Sequence, residues 1–222
     1  MKIKGAIFDM DGTLVDSLML WDILWEEFGT RYRSGACFRP DPQTEKMIRT
    51  LPLYQAMELL HERCEIGKSA EELTRVTTQV FEEFYASKVK QKEGVREVLD
   101  YCYENGVKMC IASATDPKLI RIALAHCGLE KYFSQLFSCS EIGKGKDDPE
   151  LYLNALRYLG TPLEETWVFE DSYVAIHTAV QTGMPTVGIY DDYNSDQERI
   201  RDEATIYVAK GENLWKKWSA QI

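Results

Sequence analysis

IKGAIFDMDGT, residues 3–13, runs from an apolar segment into two acidic residues one position apart, then Gly-Thr. Ile3 to Phe8 reads as a buried strand. Ending it on Asp9 and Asp11 brings two carboxylates together, where like charge and desolvation both oppose ionisation. Either a turn solvates the pair or something cationic lies between them. In an extended segment residues i and i+2 face the same side, so these two carboxylates are placed to share a hard cation, which prefers oxygen ligands.

Beyond this strand the pattern changes. Residues 18–86 contain no good strand. Leu18, Trp21, Trp25 and Phe28 recur on one helix face. A loop with Gly35, Pro40 and Pro42 follows, then helical stretches over Thr44–Thr50 and over Leu53–Cys64 just after Pro52. Ser69 caps a further helix reaching about Ser87. From Glu93 onward, helices at 94–105, 117–127, 149–159, 173–182, 194–202 and 212–219 alternate with strands at 107–112, 135–139, 166–170, 185–190 and 205–208. Gly106, Gly128, Gly160 and Gly183 supply the stops. Strands separated by helices imply right-handed βαβ units and a parallel sheet covered on both faces. The expected fold is α/β: a doubly wound, Rossmann-like core with an inserted all-helical bundle. Its expected boundaries are 1–16 with 89–222 for the core and 17–88 for the helical domain.

Composition narrows the function. The chain has 222 residues and a net charge of −10, which argues against nucleic acid or an anionic membrane as a bulk partner. No apolar run approaches the ~20 residues of a membrane span. Lys2 and Lys4 precede only a short strand, interrupted by Asp9, so no signal-peptide pattern opens the chain. Cys37, Cys64, Cys102, Cys110, Cys127 and Cys139 show no metal-ligand spacing and read as reduced, mostly buried thiols of a cytoplasmic protein. His61, His126 and His177 lie far apart and read as satisfied or surface imidazoles.

In a doubly wound sheet, ligands bind outside the carboxyl ends of the strands. Those ends carry Asp9 and Asp11, Ser113, and Glu170 with Asp171. Together the carboxylates read as a Mg²⁺ site. Taken singly, DxDG is equally a polar turn and EDS a helix cap; their common rim favours a site. Ser113 and the free backbone N–H groups of the turn at Ala114 are suited to hold phosphate oxygens, although capping of the next helix by Ser113 or Thr115 is the plainer local reading. Lys146, in GKGKDDPELY, offers an ammonium to a phosphate and to the carboxylates. A solvated loop lysine is its plainer reading, and Lys144 competes for the role.

IFDMDGTLVDS, IASAT, GKGKDDPELY and VFEDS, in this order and spacing, resemble the four motifs of the haloacid dehalogenase (HAD) superfamily of phosphohydrolases. The helical block after the first motif resembles its type C1 cap, in the β-phosphoglucomutase / phosphoglycolate phosphatase-like branch. The likeness covers essentially the whole chain. It implies that Asp9 is a nucleophile forming an aspartyl-phosphate and that Asp11 is the general acid/base. It also implies that Ser113, Ala114 and Lys146 hold phosphate and that Asp171 and Glu170 ligate Mg²⁺. Asp9 and the backbone carbonyl of Asp11 would complete the protein's share of the metal shell. An acid at the second position favours a phosphate ester over a halide, whose departure needs no proton. The sequence departs from the family pattern at Asp147, where proline usually follows the lysine, at Glu93-Gly94 in place of Pro-Gly, and at Ala175 in place of glycine.

The expected activity is therefore Mg²⁺-dependent hydrolysis of a small phosphorylated metabolite, such as a sugar phosphate or a phosphoglycolate-like compound. A hexose-phosphate mutase and a non-catalytic binding protein are the alternatives. In the mutase a histidine on the first cap helix and an arginine on the next handle the sugar phosphate; Trp21 stands at the histidine's place here and no arginine matches, so hydrolysis leads. Trp21, Trp25 and Arg49 are the expected cap contacts to substrate, with Lys46 beside them. Cap core and helix surface are the plainer readings for these residues. The expected state is monomer or homodimer.

Overall fold

All four residues of GAIF are buried as strand β1 (Gly5–Phe8). β4 (Lys108–Ser113), β5 (Leu136–Ser138), β6 (Thr166–Glu170), β7 (Thr186–Ile189) and β8 (Ile206–Val208) join it in a parallel sheet. The order is β5-β4-β1-β6-β7-β8, so β1 is central and the chain turns from one side of it to the other between β5 and β6. The computed structural model describes residues 2–49, 51 and 53–221, without the side chain of Lys46. The expectations for Lys46, Thr50 and Pro52 lie outside the described residues.

Both sheet faces are covered, which is why the strands read as unbroken apolar runs. α5 (Val95–Glu104), α6 (Pro117–Cys127), α7 (Cys139–Ile142), α8 (Glu150–Leu159), α9 (Tyr173–Gln181), α10 (Gln197–Glu203) and α11 (Leu214–Ser219) complete this part of the chain. Ile7, Cys110 and Val168 are register partners and share one core with Leu151 and Tyr152 of α8 and Ala175 of α9. The next residues along the strands turn to the other face. There Phe8 stacks on Phe169 with centroids 4.4 Å apart, and Phe169 meets Trp218 of α11 edge-on at 5.8 Å. Each such fully buried side chain contributes about 1.5–3 kcal/mol, so the central strands are the best anchored part of this core.

Contacts divide the chain into two compact units, Met1–Leu18 with Val89–Ile222, and Met19–Lys88. β2 (Val15–Asp16) and β3 (Lys90–Gln91) pair antiparallel within the first unit. The second unit consists of α1 (Leu20–Tyr32), α2 (Pro42–Ile48), α3 (Leu53–Cys64) and α4 (Ala70–Ser87). Asp41 caps α2 by accepting from the N–H groups of Gln43 and Thr44, both at 3.0 Å, with Pro42 in the first turn. Ser69 caps α4 through the N–H of Glu72. Leu18 precedes α1 rather than joining its apolar face.

Two further expectations need correction. Of the cysteines read as mostly buried, only Cys102 and Cys110 are; Cys64, Cys127 and Cys139 are half-buried and Cys37 is exposed, on the loop after α1. The helix expected from residue 194 begins at Gln197, because the Asp191 carboxylate accepts the Tyr193 N–H and holds 191–194 as a turn. β2, β3 and α7, of two, two and four residues, are too short to show a periodicity in the sequence. Among the described residues no helix is long and apolar enough to cross a membrane.

Candidate active site

Asp9 directly follows β1. Its N–H continues the ladder to the Phe169 carbonyl at 3.0 Å, which places its carboxylate between the ends of β4 and β6. The chain then turns sharply. The Met10 carbonyl accepts from Thr13, Leu14 and Val15 N–H groups at 3.3, 2.9 and 3.0 Å. Gly12 adopts φ +77, and a Cβ there would collide with the Asp171 carboxylate, so the position requires glycine twice over.

Asp9, Glu170 and Asp171 are all buried and offer carboxylate oxygens within 4.8 Å of one another. Lys146 Nζ lies 2.8 Å from Asp9 Oδ1 and also pairs with Glu170 Oε1. No hydrogen-bond donor among the described residues aligns with Asp9 Oδ1, so its contact with Lys146 is ionic only. Glu170 Oε2 accepts from the backbone N–H groups of Asp171 and Ser172, both at 2.8 Å. Asp171 accepts from Thr13 Oγ1 at 3.1 Å on Oδ1 and from Asn194 Nδ2 at 2.5 Å on Oδ2.

Three carboxylates thus share one ammonium. Burial pushes the Glu170 and Asp171 carboxyls up; Lys146 opposes this in both, while Asp9 adds to it. Asp171 is raised well above its ordinary value, with Glu170 the strongest charged cause. Burial works against the Lys146 ammonium, but Asp9 and Glu170 outweigh it and hold the amine well above its usual range. An all-oxygen donor set with surplus negative charge and an unaligned Asp9 oxygen fits a hard divalent cation of the Mg²⁺ class. Tyr152, 1% exposed, lies close enough that Glu170, after burial itself, raises its phenol; it lines the cluster without adding charge.

Asp11 is not one of the three clustered carboxylates. Its Oδ1 accepts from Ser17 Oγ at 2.5 Å and its Oδ2 from Thr115 Oγ1 at 2.6 Å. Ser113 is buried at the end of β4 and its Oγ accepts the Thr115 N–H at 3.3 Å; Ala114 beside it is exposed. The helix for which Ser113 and Thr115 are candidate caps in the sequence is instead capped by Asp116, which accepts the Lys118 N–H at 2.8 Å. Likewise Ser172 caps α9, leaving Glu170 and Asp171 for the cluster. Of the two competing lysines, Lys144 is exposed and paired with Asp148 at 2.9 Å, while Lys146 enters the cluster. Ser17, Thr13 and Asn194 are further residues of the site, each bonded to one of its carboxylates. Thr13 and Asn194 reach Asp171 from 158 and 23 positions away, which leaves no trace in local spacing; Ser17, six residues from Asp11 within the first motif, is the one whose signal is local.

In the helical unit, Trp25 is 2% exposed, packed on Trp21, Phe28 and Phe38, with Nε1 donating to Glu45 at 3.4 Å. Its indole is packed in the core of the helical unit, the plainer of the two readings the sequence offers for it. Arg49 donates to Glu45 at 2.5 Å, and its guanidinium lies 5.4 Å from the Trp21 ring centre.

Comparison with known proteins gives concordant matches. The family described as haloacid dehalogenase-like hydrolase matches residues 6–189. A Thermotoga maritima protein named phosphorylated carbohydrates phosphatase is 28% identical over 216 residues, covering 96% of each chain. The Escherichia coli fructose-1-phosphate phosphatase YqaB is 23% identical over 85% of this chain and 97% of its own. A Thermotoga maritima crystal structure, provisionally assigned as a β-phosphoglucomutase, superposes with a TM-score of 0.80 at 25% identity, over 99% of this chain and 100% of its own.

Proposed function

The chain belongs to the haloacid dehalogenase-like hydrolase family, and from that premise we propose that it is a Mg²⁺-dependent phosphatase of a small phosphorylated metabolite, a sugar phosphate or a similar monoester. One observation carries the reading: Asp9, Glu170 and Asp171 converge around Lys146 at the carboxyl rim of the sheet, while the Asp11 carboxylate accepts from the hydroxyls of Ser17 and Thr115. A nucleophile and a proton carrier need such different surroundings. The names of the relatives support the same substrate class.

Asp9 would be the nucleophile. One oxygen attacks phosphorus, and the bond from phosphorus to the ester oxygen breaks. The leaving alkoxide takes a proton from Asp11, leaving an aspartyl-phosphate on Asp9. Asp11, now a carboxylate, takes a proton from water as that water attacks phosphorus; the bond to Asp9 breaks, phosphate departs and the Asp9 carboxylate returns. Lys146 would screen the approach of the phosphate dianion to Asp9, and the Ser113 hydroxyl with the backbone at Ala114 would hold phosphoryl oxygens. Asp9, Glu170, Asp171 and the backbone at Asp11 would hold the cation. When bound, Mg²⁺ would draw charge from the phosphoryl group and offset the surplus of carboxylates.

Hydrolysis leads over phosphoryl return to a sugar because Trp21 takes the place on α1 at which the mutase resemblance asks for histidine. A panel of phosphorylated metabolites with Mg²⁺ tests the proposal. Phosphate release is the expected result. Interconversion of glucose 1- and 6-phosphates without release would replace hydrolase by mutase, and no turnover by folded protein would refute both.

A further inference from the structure

We propose that Asn194 is a positioning residue for the metal site, clamping Asp171 in the orientation that presents its carboxylate to the cation; this rests on the reading of Asp171 as a Mg²⁺ ligand. Asn194 Nδ2 donates to Asp171 twice, to its backbone carbonyl at 3.0 Å and to Oδ2 at 2.5 Å. The backbone carbonyl is an acceptor only, so the amide nitrogen and not its oxygen must face Asp171. Tying side chain and main chain of one residue to a single planar amide freezes the rotation of that carboxylate. Thr13 Oγ1 holds the other oxygen, Oδ1, at 3.1 Å. Each oxygen keeps a second lone pair for a cation.

The clamp is itself braced. The Asn194 N–H donates to the Asp191 carbonyl at 3.2 Å, and Gln197 Nε2 donates to the carbonyls of Asp191 and Asn194 at 2.9 and 3.3 Å. Asp191, buried, accepts from Lys92 Nζ at 2.7 Å, and Lys92 also donates to the Tyr190 carbonyl at 3.0 Å. The loop after β7 is thereby fixed to the segment after β3, and Asn194 is carried by a rigid turn. Asn194 lies outside all four motifs that the sequence resemblance rests on. Partners that orient a ligating carboxylate typically control about 10–100-fold in metal affinity or activity.

Calorimetric titration of Mg²⁺ into the metal-free protein tests this on the wild type, Asn194→Ala, Asp171→Asn and Ser195→Ala, an exposed neighbour serving as control. The expected result is that Asp171→Asn abolishes binding, Asn194→Ala weakens it about 10–100-fold, and Ser195→Ala leaves it unchanged, with metal-free Asn194→Ala still folded and unfolding in a single cooperative transition. Asn194→Ser, which keeps one donor, should fall between Ala and wild type, and it supplies the reading should the alanine variant fail to fold. Wild-type affinity in Asn194→Ala together with lost binding in Asp171→Asn overturns the clamp alone. Equal binding by wild type and Asp171→Asn, or none by wild type, overturns the metal assignment beneath it.

Discussion

Lys146 Nζ stands 2.8 Å from Asp9 Oδ1 while also pairing with Glu170, so one ammonium joins the ends of two adjacent strands, β1 and β6. Its amine is held above the ordinary range, so it stays charged throughout the neutral range. Lys146→Met would leave three buried carboxylates without a counter-charge. The expected outcome is a loss of about 10²–10³-fold in kcat and a destabilisation of about 3–5 kcal/mol. The stability deficit should shrink as pH falls and the carboxylates take up protons. Lys144→Met, at an exposed pair, should change stability by less than about 0.5 kcal/mol. Phosphate-release assays and urea unfolding of both variants decide the matter; equal effects at 144 and 146 would sink the assignment.

Asp9→Asn tests the covalent step. The amide keeps the shape and the strand ladder through its backbone but cannot attack phosphorus. Turnover should fall by at least about 10⁴-fold, while unfolding free energy stays equal to or above wild type, since one of three crowded charges is removed. Beryllium fluoride with Mg²⁺ should attach at Asp9 in the wild type and not in the variant. Near-wild-type turnover by Asp9→Asn would refute the mechanism.

Much of this arrangement was legible in the sequence because it depends on local order. Apolar runs marked the strands, glycines after helices marked their ends, and acids at the ends of β1 and β6 marked the rim. What was not legible depends on contacts distant in sequence. Asp11 and Thr115 meet across 104 positions, and Asp171 and Asn194 belong to loops after different strands. Residues 194–196 share the helical character of those that follow, but Asp191 holds 191–194 as a turn through the Tyr193 N–H, and Lys92 anchors Asp191 from 99 positions away. Local spacing could offer two lysines near the third motif but not decide between them. Burial decides, and burial is a property of the packed sheet. Trp25 carries the opposite lesson: for a tryptophan on an amphipathic face, cap core is the plainer reading, and its burial agrees with it.

Gly12→Ala should separate site geometry from fold. The residue adopts φ +77, and its Cβ would occupy the space of the Asp171 carboxylate. Left-handed backbone costs a non-glycine residue about 1–2 kcal/mol, a loss that a core of this size tolerates. The steric conflict falls on Asp171, so Mg²⁺ affinity and kcat should drop together, by about 10-fold or more each, while KM at saturating Mg²⁺ changes little. Wild-type Mg²⁺ affinity in this variant would show that Asp171 need not lie against the turn.

Glu45 offers a test confined to the helical unit. Its carboxylate accepts from Arg39 Nε at 2.8 Å, Arg49 Nη2 at 2.5 Å and Trp25 Nε1 at 3.4 Å. Burial alone would raise its pKa, but the hydrogen bonds from Arg39 and Arg49 overcome it and lower the group to about 2. A folded-state pKa below the unfolded one means stability that is complete above pH 4.5 and is lost as pH falls toward 2. Arg39 is half-exposed, which screens its share, so the contribution at pH 7 should be about 1–2 kcal/mol. Glu45→Gln should therefore cost about that much at pH 7 and less than half of it at pH 3, measured by urea unfolding at each pH. A cost that is the same at both values would mean that the charge of Glu45, as opposed to its shape, does not hold α1 and α2 together.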